Sequence, residues 1–126
     1  MNTPSDLLYS TDHEWVRQDG DIATIGITDF AQDSLGDVVF VEAPPVGEKV
    51  ARGDSSGEIE STKSVSDLYA PVSGDVAEVN DALEESPELV NSDPYGEGWI
   101  YKIEMSDVGE LEHLMDADAY LKFTEG

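Results

Sequence analysis

Hydrophobic and polar positions alternate along this chain in short runs, and Gly or Pro punctuates them every several residues. That pattern predicts a mainly β chain of short strands. Residues 14–17 and 22–27 flank Asp19-Gly20, a dipeptide suited to the positive φ angles of a tight hairpin turn. Residues 29–36 predict a short helix, with Asp29 as an acidic N-cap, Gln32 three residues on and Gly36 just past the end. β-Branched and aromatic residues at 37–42 predict a strand, broken at 43–47 by Pro44 and Pro45, which donate nothing to a ladder. Strands are expected next at 57–61 and 65–69, so that Thr62-Lys63-Ser64 forms a hairpin tip. A turn at 70–74, a strand at 75–79 and a late strand at 99–103 follow, while 80–98, with two prolines, reads as loop. Val108, Leu111, Leu114 and Met115 share one helical face, which predicts a terminal helix over 107–115 capped by Ser106 or Asp107.

With 126 residues and 39% hydrophobic content, residues 1–126 suit a single domain with one modest core and leave no room for a second catalytic domain. The longest apolar run, Val38-Val39-Phe40-Val41, is far short of the ~18 residues a membrane span needs, so no membrane partner is expected. Met1-Asn2-Thr3-Pro4-Ser5-Asp6 has neither a secretory nor a transit-peptide pattern, which places the expected location in the cytoplasm. With no cysteine there is no disulfide, thiolate metal site or cysteine nucleophile, and no metal site is expected. Redox chemistry would have to come from a cofactor. The 29 acidic residues against 6 basic ones leave a net charge of -23, which argues against a nucleic-acid partner. The acids are dispersed among Ile, Val, Phe and Trp positions, the mark of a folded acidic surface rather than a disordered tail. Repulsion on such a surface nearly vanishes in molar salt, where the Debye length is about 3 Å. The surface therefore reads as that of a halophile, a halophilic archaeon foremost.

Lys63 at the expected tip is flanked by the small polar residues Thr62 and Ser64, which leave its amine open to another protein's active site. Glu58, Glu60 and Asp67 nearby favour the ammonium form, whereas a Schiff-base or general-base lysine needs a desolvated or cation-flanked site. Lys63 is thus better suited to being acylated than to catalysing, with a plain exposed turn lysine as the alternative.

The segment Glu58-Ile59-Glu60-Ser61-Thr62-Lys63-Ser64-Val65-Ser66-Asp67-Leu68-Tyr69-Ala70-Pro71-Val72-Ser73-Gly74 resembles the lipoylation segment of glycine cleavage H proteins. The likeness extends over nearly the whole chain. It includes His13-Glu14-Trp15-Val16, Thr24-Ile25-Gly26-Ile27-Thr28, Leu35-Gly36-Asp37, Leu89-Val90-Asn91, Asp93-Pro94-Tyr95-Gly96 and Gly98-Trp99. Biotinyl domains carry their lysine between methionines, and the lipoyl domains of 2-oxo-acid dehydrogenases lack the His-Glu-Trp and Asp-Pro-Tyr blocks. The resemblance implies a barrel-sandwich hybrid of two small sheets with short flanking helices, and a non-catalytic carrier with lipoate in amide linkage to Lys63. The implied partners are glycine decarboxylase (P protein), which loads an aminomethyl group as the dithiolane is reduced, and aminomethyltransferase (T protein), which passes the carbon to tetrahydrofolate. Dihydrolipoamide dehydrogenase (L protein) reoxidises the dithiol, and a lipoylating enzyme installs the arm. A strained cyclic disulfide suits such exchange.

Glu14 and Asp67 match the family's acidic positions near the arm and would dock the loaded ammonium through a charge-assisted hydrogen bond. Without the resemblance they are two of 29 surface acids. Asp12 stands where family members often have a small hydroxyl residue, and Ser34 where some have histidine. No residue is assigned as catalytic: His13 lacks a matched nucleophile or metal partner, His113 is expected to be solvated, and Trp15 and Trp99 are expected in core or cleft walls. Gly53, Gly57 and Gly74 read as turn residues, since no phosphate-loop pattern follows them. Three other roles fit the same scaffold less well: a lipoyl donor to other complexes, an unmodified interaction module, and a hydrolase built on His13 and Glu14.

Overall fold

The computed structural model describes residues 3–125. The terminal Met1, Asn2 and Gly126, and with them the ends of the expected domain and the start of the N-terminal reading, lie outside the described residues. The strands are β1 (Leu8–Tyr9), β2 (Glu14–Asp19), β3 (Ile22–Ile27), β4 (Val38–Glu42), β5 (Lys49–Val50), β6 (Ser55–Ser61), β7 (Val65–Tyr69), β8 (Gly74–Val79) and β9 (Tyr101–Met105). The α-helical segments are α1 (Asp29–Leu35), α2 (Ala82–Glu85), α3 (Leu89–Ser92) and α4 (Ala117–Glu125).

Two antiparallel sheets form, one of six strands in the order β1-β2-β3-β9-β8-β5 and one of three in the order β4-β6-β7. Strand parity decides what each side chain meets, because alternate residues face opposite sides of a sheet. Val16 belongs to the main core, which also takes in Ile25 and Ile103 and, from the smaller sheet, Ile59 and Leu68. Trp15, one residue earlier, faces the other way and packs with Leu7, Tyr9, Ala117 and Tyr120 beneath α4. Glu14 shares parity with Val16, which turns its carboxyl inward. Gly26 makes room for the Trp15 ring, since a Cβ there would lie 2.7 Å from it.

The expected hairpins form with small shifts. Asp19 pairs with Ile22, so the first turn is Gly20-Asp21, one residue later than expected, with Gly20 at φ 61°. The N-cap of α1 is Thr28, whose hydroxyl accepts from the Ala31 N–H at 3.1 Å. Asp29 is instead the first helical residue and accepts from the Gln32 side chain at 2.6 Å. The stretch 80–98 carries the single turns α2 and α3, each only four residues long and so too short for a periodic signal. Two-residue β1 and β5 escape notice for the same reason.

A C-terminal helix is present as expected, but its placement over 107–115 is corrected. Residues Val108–His113 form a 3-10 helix capped by Asp107, whose side chain accepts from the Gly109 N–H at 2.9 Å. The terminal α-helix is α4, further on, where Asp116 accepts from the Ala119 N–H at 2.8 Å. Ala117, Tyr120 and Leu121 recur at helical spacing, but only Ala117 and Tyr120 are buried, while Leu121 and Phe123 are exposed.

Candidate functional site

The β6–β7 hairpin places Thr62-Lys63-Ser64 at its tip, and Lys63 is exposed. The tip is held by Ser61, which is itself buried. Its hydroxyl accepts from the Lys63 and Ser64 N–H groups at 3.3 and 3.1 Å and donates to the Ser64 carbonyl at 3.2 Å. The Ser61 N–H donates to the same carbonyl at 2.8 Å, and the Thr62 N–H donates to the Asp37 carbonyl at 3.0 Å. Backbone order is therefore supplied from below, while the lysine side chain stays outside. Its stem runs over Gly36, the residue that ends α1 at φ 79°.

Beside the tip lies a cleft of about 280 Å³ between α1, the β1–β2 turn and the β6–β7 hairpin. Ile27, Phe30, Leu35, Ile59 and Leu68 give it apolar walls, and Glu14 and Asp67 both line it. The structure thus brings the two expected carboxylates together. Lys63 does not line the cleft, but its stem rests on Gly36, directly after the wall residue Leu35. Asp12 and Ser34, the departures noted above, are both lining residues.

The two carboxylates differ in environment. Asp67 is exposed. Glu14 is 2% exposed; its Oε2 accepts from the Tyr69 N–H at 2.7 Å, and Ser10 Oγ lies 3.3 Å from Oε1. Burial pushes the Glu14 carboxyl up to about 8, against the opposing pull of the Tyr69 hydrogen bond. A neutral carboxyl buried at the end of an apolar cleft ionises readily when a cation enters beside it.

His13 stands at φ 65°, a left-handed conformation that histidine tolerates better than most residues. It lines the cleft, stacks on Phe30 at 4.6 Å and makes a 2.8 Å hydrogen bond through Nδ1 to the Tyr120 hydroxyl. Burial lowers its pKa. Trp15 is fully buried, with Nε1–H donating to the Pro94 carbonyl at 2.9 Å. Trp99 packs half-buried against the same cluster, and His113 is exposed.

Asn91 and Ser61 went unassigned in the sequence, although Asn91 closes the Leu89-Val90-Asn91 block. Its Nδ2 donates to Gln32 Oε1 at 3.0 Å and to the Gly36 carbonyl at 2.8 Å, and its Oδ1 accepts from the Val38 N–H at 2.8 Å. One amide thereby fixes the segment that supports Lys63. A larger groove of about 460 Å³ is lined by Phe40, Pro44, Leu83 and others, but its polar residues Glu42, Asn80, Asp81 and Glu84 are exposed or half-buried. It holds no buried titratable group, so the chemistry belongs to the smaller cleft. Among the described residues no cluster of His, Cys, Asp and Glu could hold a metal ion, and no helix is long and apolar enough to cross a membrane.

Comparison with known proteins bears on the family and the fold. The glycine cleavage H-protein family model matches residues 7–126. The chain is 59% identical to a glycine cleavage system H protein of Symbiobacterium thermophilum over 98% of this chain and 97% of that one. It is 61% identical to the mitochondrial glycine cleavage system H protein 2 of Arabidopsis thaliana, over 95% of this chain and 77% of the other. A crystal structure of the H protein of Mycobacterium marinum superposes with a TM-score of 0.89 at 45% identity, covering 98% of this chain and 99% of that one. The expected barrel-sandwich of two sheets with short helices is the fold of this chain. These relatives are bacterial and plant proteins and lend no support to a halophilic archaeal origin. On the family model and on these identities, the chain belongs to the glycine cleavage H-protein family.

Proposed function

We propose that this chain is the non-catalytic lipoyl shuttle of glycine cleavage, a single carrier domain over residues 1–126 with Lys63 as the attachment point. The carrying observation is the pairing of an exposed hairpin-tip lysine with an adjacent apolar cleft that ends in the buried Glu14 carboxyl. Lipoate fits these residues: the free lysine suits amide formation, and the walls of Ile27, Phe30, Leu35, Ile59 and Leu68 suit an alkyl chain. When bound, lipoate supplies a cyclic disulfide able to take up an aminomethyl group and two electrons.

The chain's own residues do the rest. Ser61 presents Lys63 to other proteins, Gly36 seats its stem, and the apolar walls exclude water from what folds into the cleft. Glu14, held neutral by burial, releases its proton to solvent as an incoming ammonium pairs with its carboxylate. Asp67 offers a second carboxylate from the exposed side. The partners in this reading are glycine decarboxylase, aminomethyltransferase, dihydrolipoamide dehydrogenase and a lipoylating enzyme, in a cytoplasmic setting.

Intact mass of the protein purified from its own cells tests the reading, with fragmentation of the peptide 58–69. A lipoyl increment on Lys63 that disappears in Lys63→Arg is expected. An unmodified Lys63 in cells with working lipoylation would move the chain to an interaction role.

A further inference from the structure

The β1–β2 turn and α1 both line the cleft, and His13 of the turn and Thr28, the N-cap of α1, meet a third element, α4, at one oxygen. The Tyr120 hydroxyl lies 2.8 Å from His13 Nδ1 and 2.7 Å from Thr28 Oγ1. Tyr120 is 1% exposed and Thr28 fully buried, so these contacts exchange little with water. The Tyr120 ring stacks on Tyr9 at 4.7 Å with planes 13° apart, which fixes where the hydroxyl sits. Thr28 Oγ1 also accepts from the Ala31 N–H, and the Thr28 N–H donates to the His13 carbonyl at 3.0 Å.

One order of the hydrogens in this cluster uses every hydroxyl hydrogen. A Tyr120 hydroxyl that donated to Thr28 would leave the Thr28 hydrogen without an acceptor among the described residues. With Thr28 donating to Tyr120 and Tyr120 donating to His13 Nδ1, every hydroxyl hydrogen is used. His13 is then a neutral imidazole with its proton on Nε2. Its ring is pinned on two sides, by this bond and by the Phe30 stack at 4.6 Å, and both rings line the cleft.

We propose that Tyr120 is a positioning residue for the storage cleft: its hydroxyl orients the His13 ring against Phe30 and so sets the wall that shields whatever Lys63 delivers beside Glu14. This rests on the shuttle reading above. α4, from which Phe123 also meets the His13 ring at 5.7 Å, thereby acts on cargo retention through the His13 side of the cleft.

Tyr120→Phe retains the stack on Tyr9 and removes only the hydroxyl. In the unlipoylated protein, ¹⁵N NMR of His13 is expected to show the Nε2–H tautomer in the parent and a mixture of tautomers in the variant. In the lipoylated protein loaded from glycine, the variant should lose ammonia and formaldehyde about fivefold faster, the size of one buried hydrogen bond. Its melting temperature should fall by only a few degrees, the cost of that buried hydrogen bond, and its rate of reduced-arm oxidation by the dehydrogenase should stay near the parent's, which a general loosening would not allow. Thr28→Ser, which keeps the hydroxyl, should behave as the parent. An unchanged His13 tautomer, or equal release rates in parent and Tyr120→Phe, overturns the proposal. A parent that retains its cargo no longer than free lipoamide does would instead overturn the shuttle reading on which it rests.

Discussion

Gly36 lies directly beneath the Lys63 side chain: a methyl group on Gly36 would meet Lys63 Cε at 3.3 Å and Nζ at 3.8 Å. The residue that ends α1 is also the seat of the lysine stem. Its φ of 79° adds a backbone reason for glycine, since a Cβ is disfavoured there.

Gly36→Ala is therefore expected to cost about 1–2 kcal/mol and also to slow enzymatic acylation of Lys63. Gly20→Ala is the control, because Gly20 stands at φ 61° with nothing within 4 Å of a Cβ. It should lose comparable stability with no change in acylation. Denaturant melts and timed mass spectra of the modification reaction separate the two effects.

Asn91 makes three hydrogen bonds to α1 and the start of β4 from one side chain. Asn91→Ala strands a buried Val38 N–H and the Gly36 carbonyl, and should cost about 2–4 kcal/mol. Amide hydrogen exchange is the measurement of choice, with protection lost first at Val38 and at Thr62, whose N–H rests on Asp37.

Glu14 sets a pH dependence of stability. Its carboxyl is raised by burial from 4.5 to about 8 in the fold. Across that window the folded state holds a proton that the unfolded state has lost, so unfolding free energy falls as pH rises. The stabilisation is complete below about 4.5 and gone above about 8, with a limiting slope of ~1.4 kcal/mol per pH unit. Glu14→Gln keeps an acceptor for the Tyr69 N–H and removes the titration. The difference between parent and variant stability, measured in urea at pH 5 to 8, should follow that slope; a flat difference would contradict it.

Salt should stabilise the fold. A net charge of -23, carried largely on exposed side chains, repels itself in dilute buffer and is screened in molar salt. The melting temperature is expected to rise from 10 mM to 2 M sodium chloride on the order of ten degrees, and a flat response would contradict the repulsion argument.

Short-range pattern carried most strands of both sheets, the Gly20 turn and the Lys63 tip, because alternation and turn chemistry act over a few residues, while the family was legible only as a resemblance of residue blocks. The inward face of Glu14 follows from its parity with Val16, although the depth of its burial does not. Local pattern failed at α2, α3, β1 and β5, which are too short to repeat, and at α4, whose order comes from packing Tyr120 on Tyr9 across more than a hundred residues of chain. Only the tertiary structure decided that Glu14 and Asp67 share a cleft, that Gly36 lies under Lys63, and that Asn91 and Tyr120 brace opposite ends of α1. Each of those relationships joins residues far apart in the chain, and their distances are set by how the two sheets and α4 pack together, which no local pattern of residues encodes.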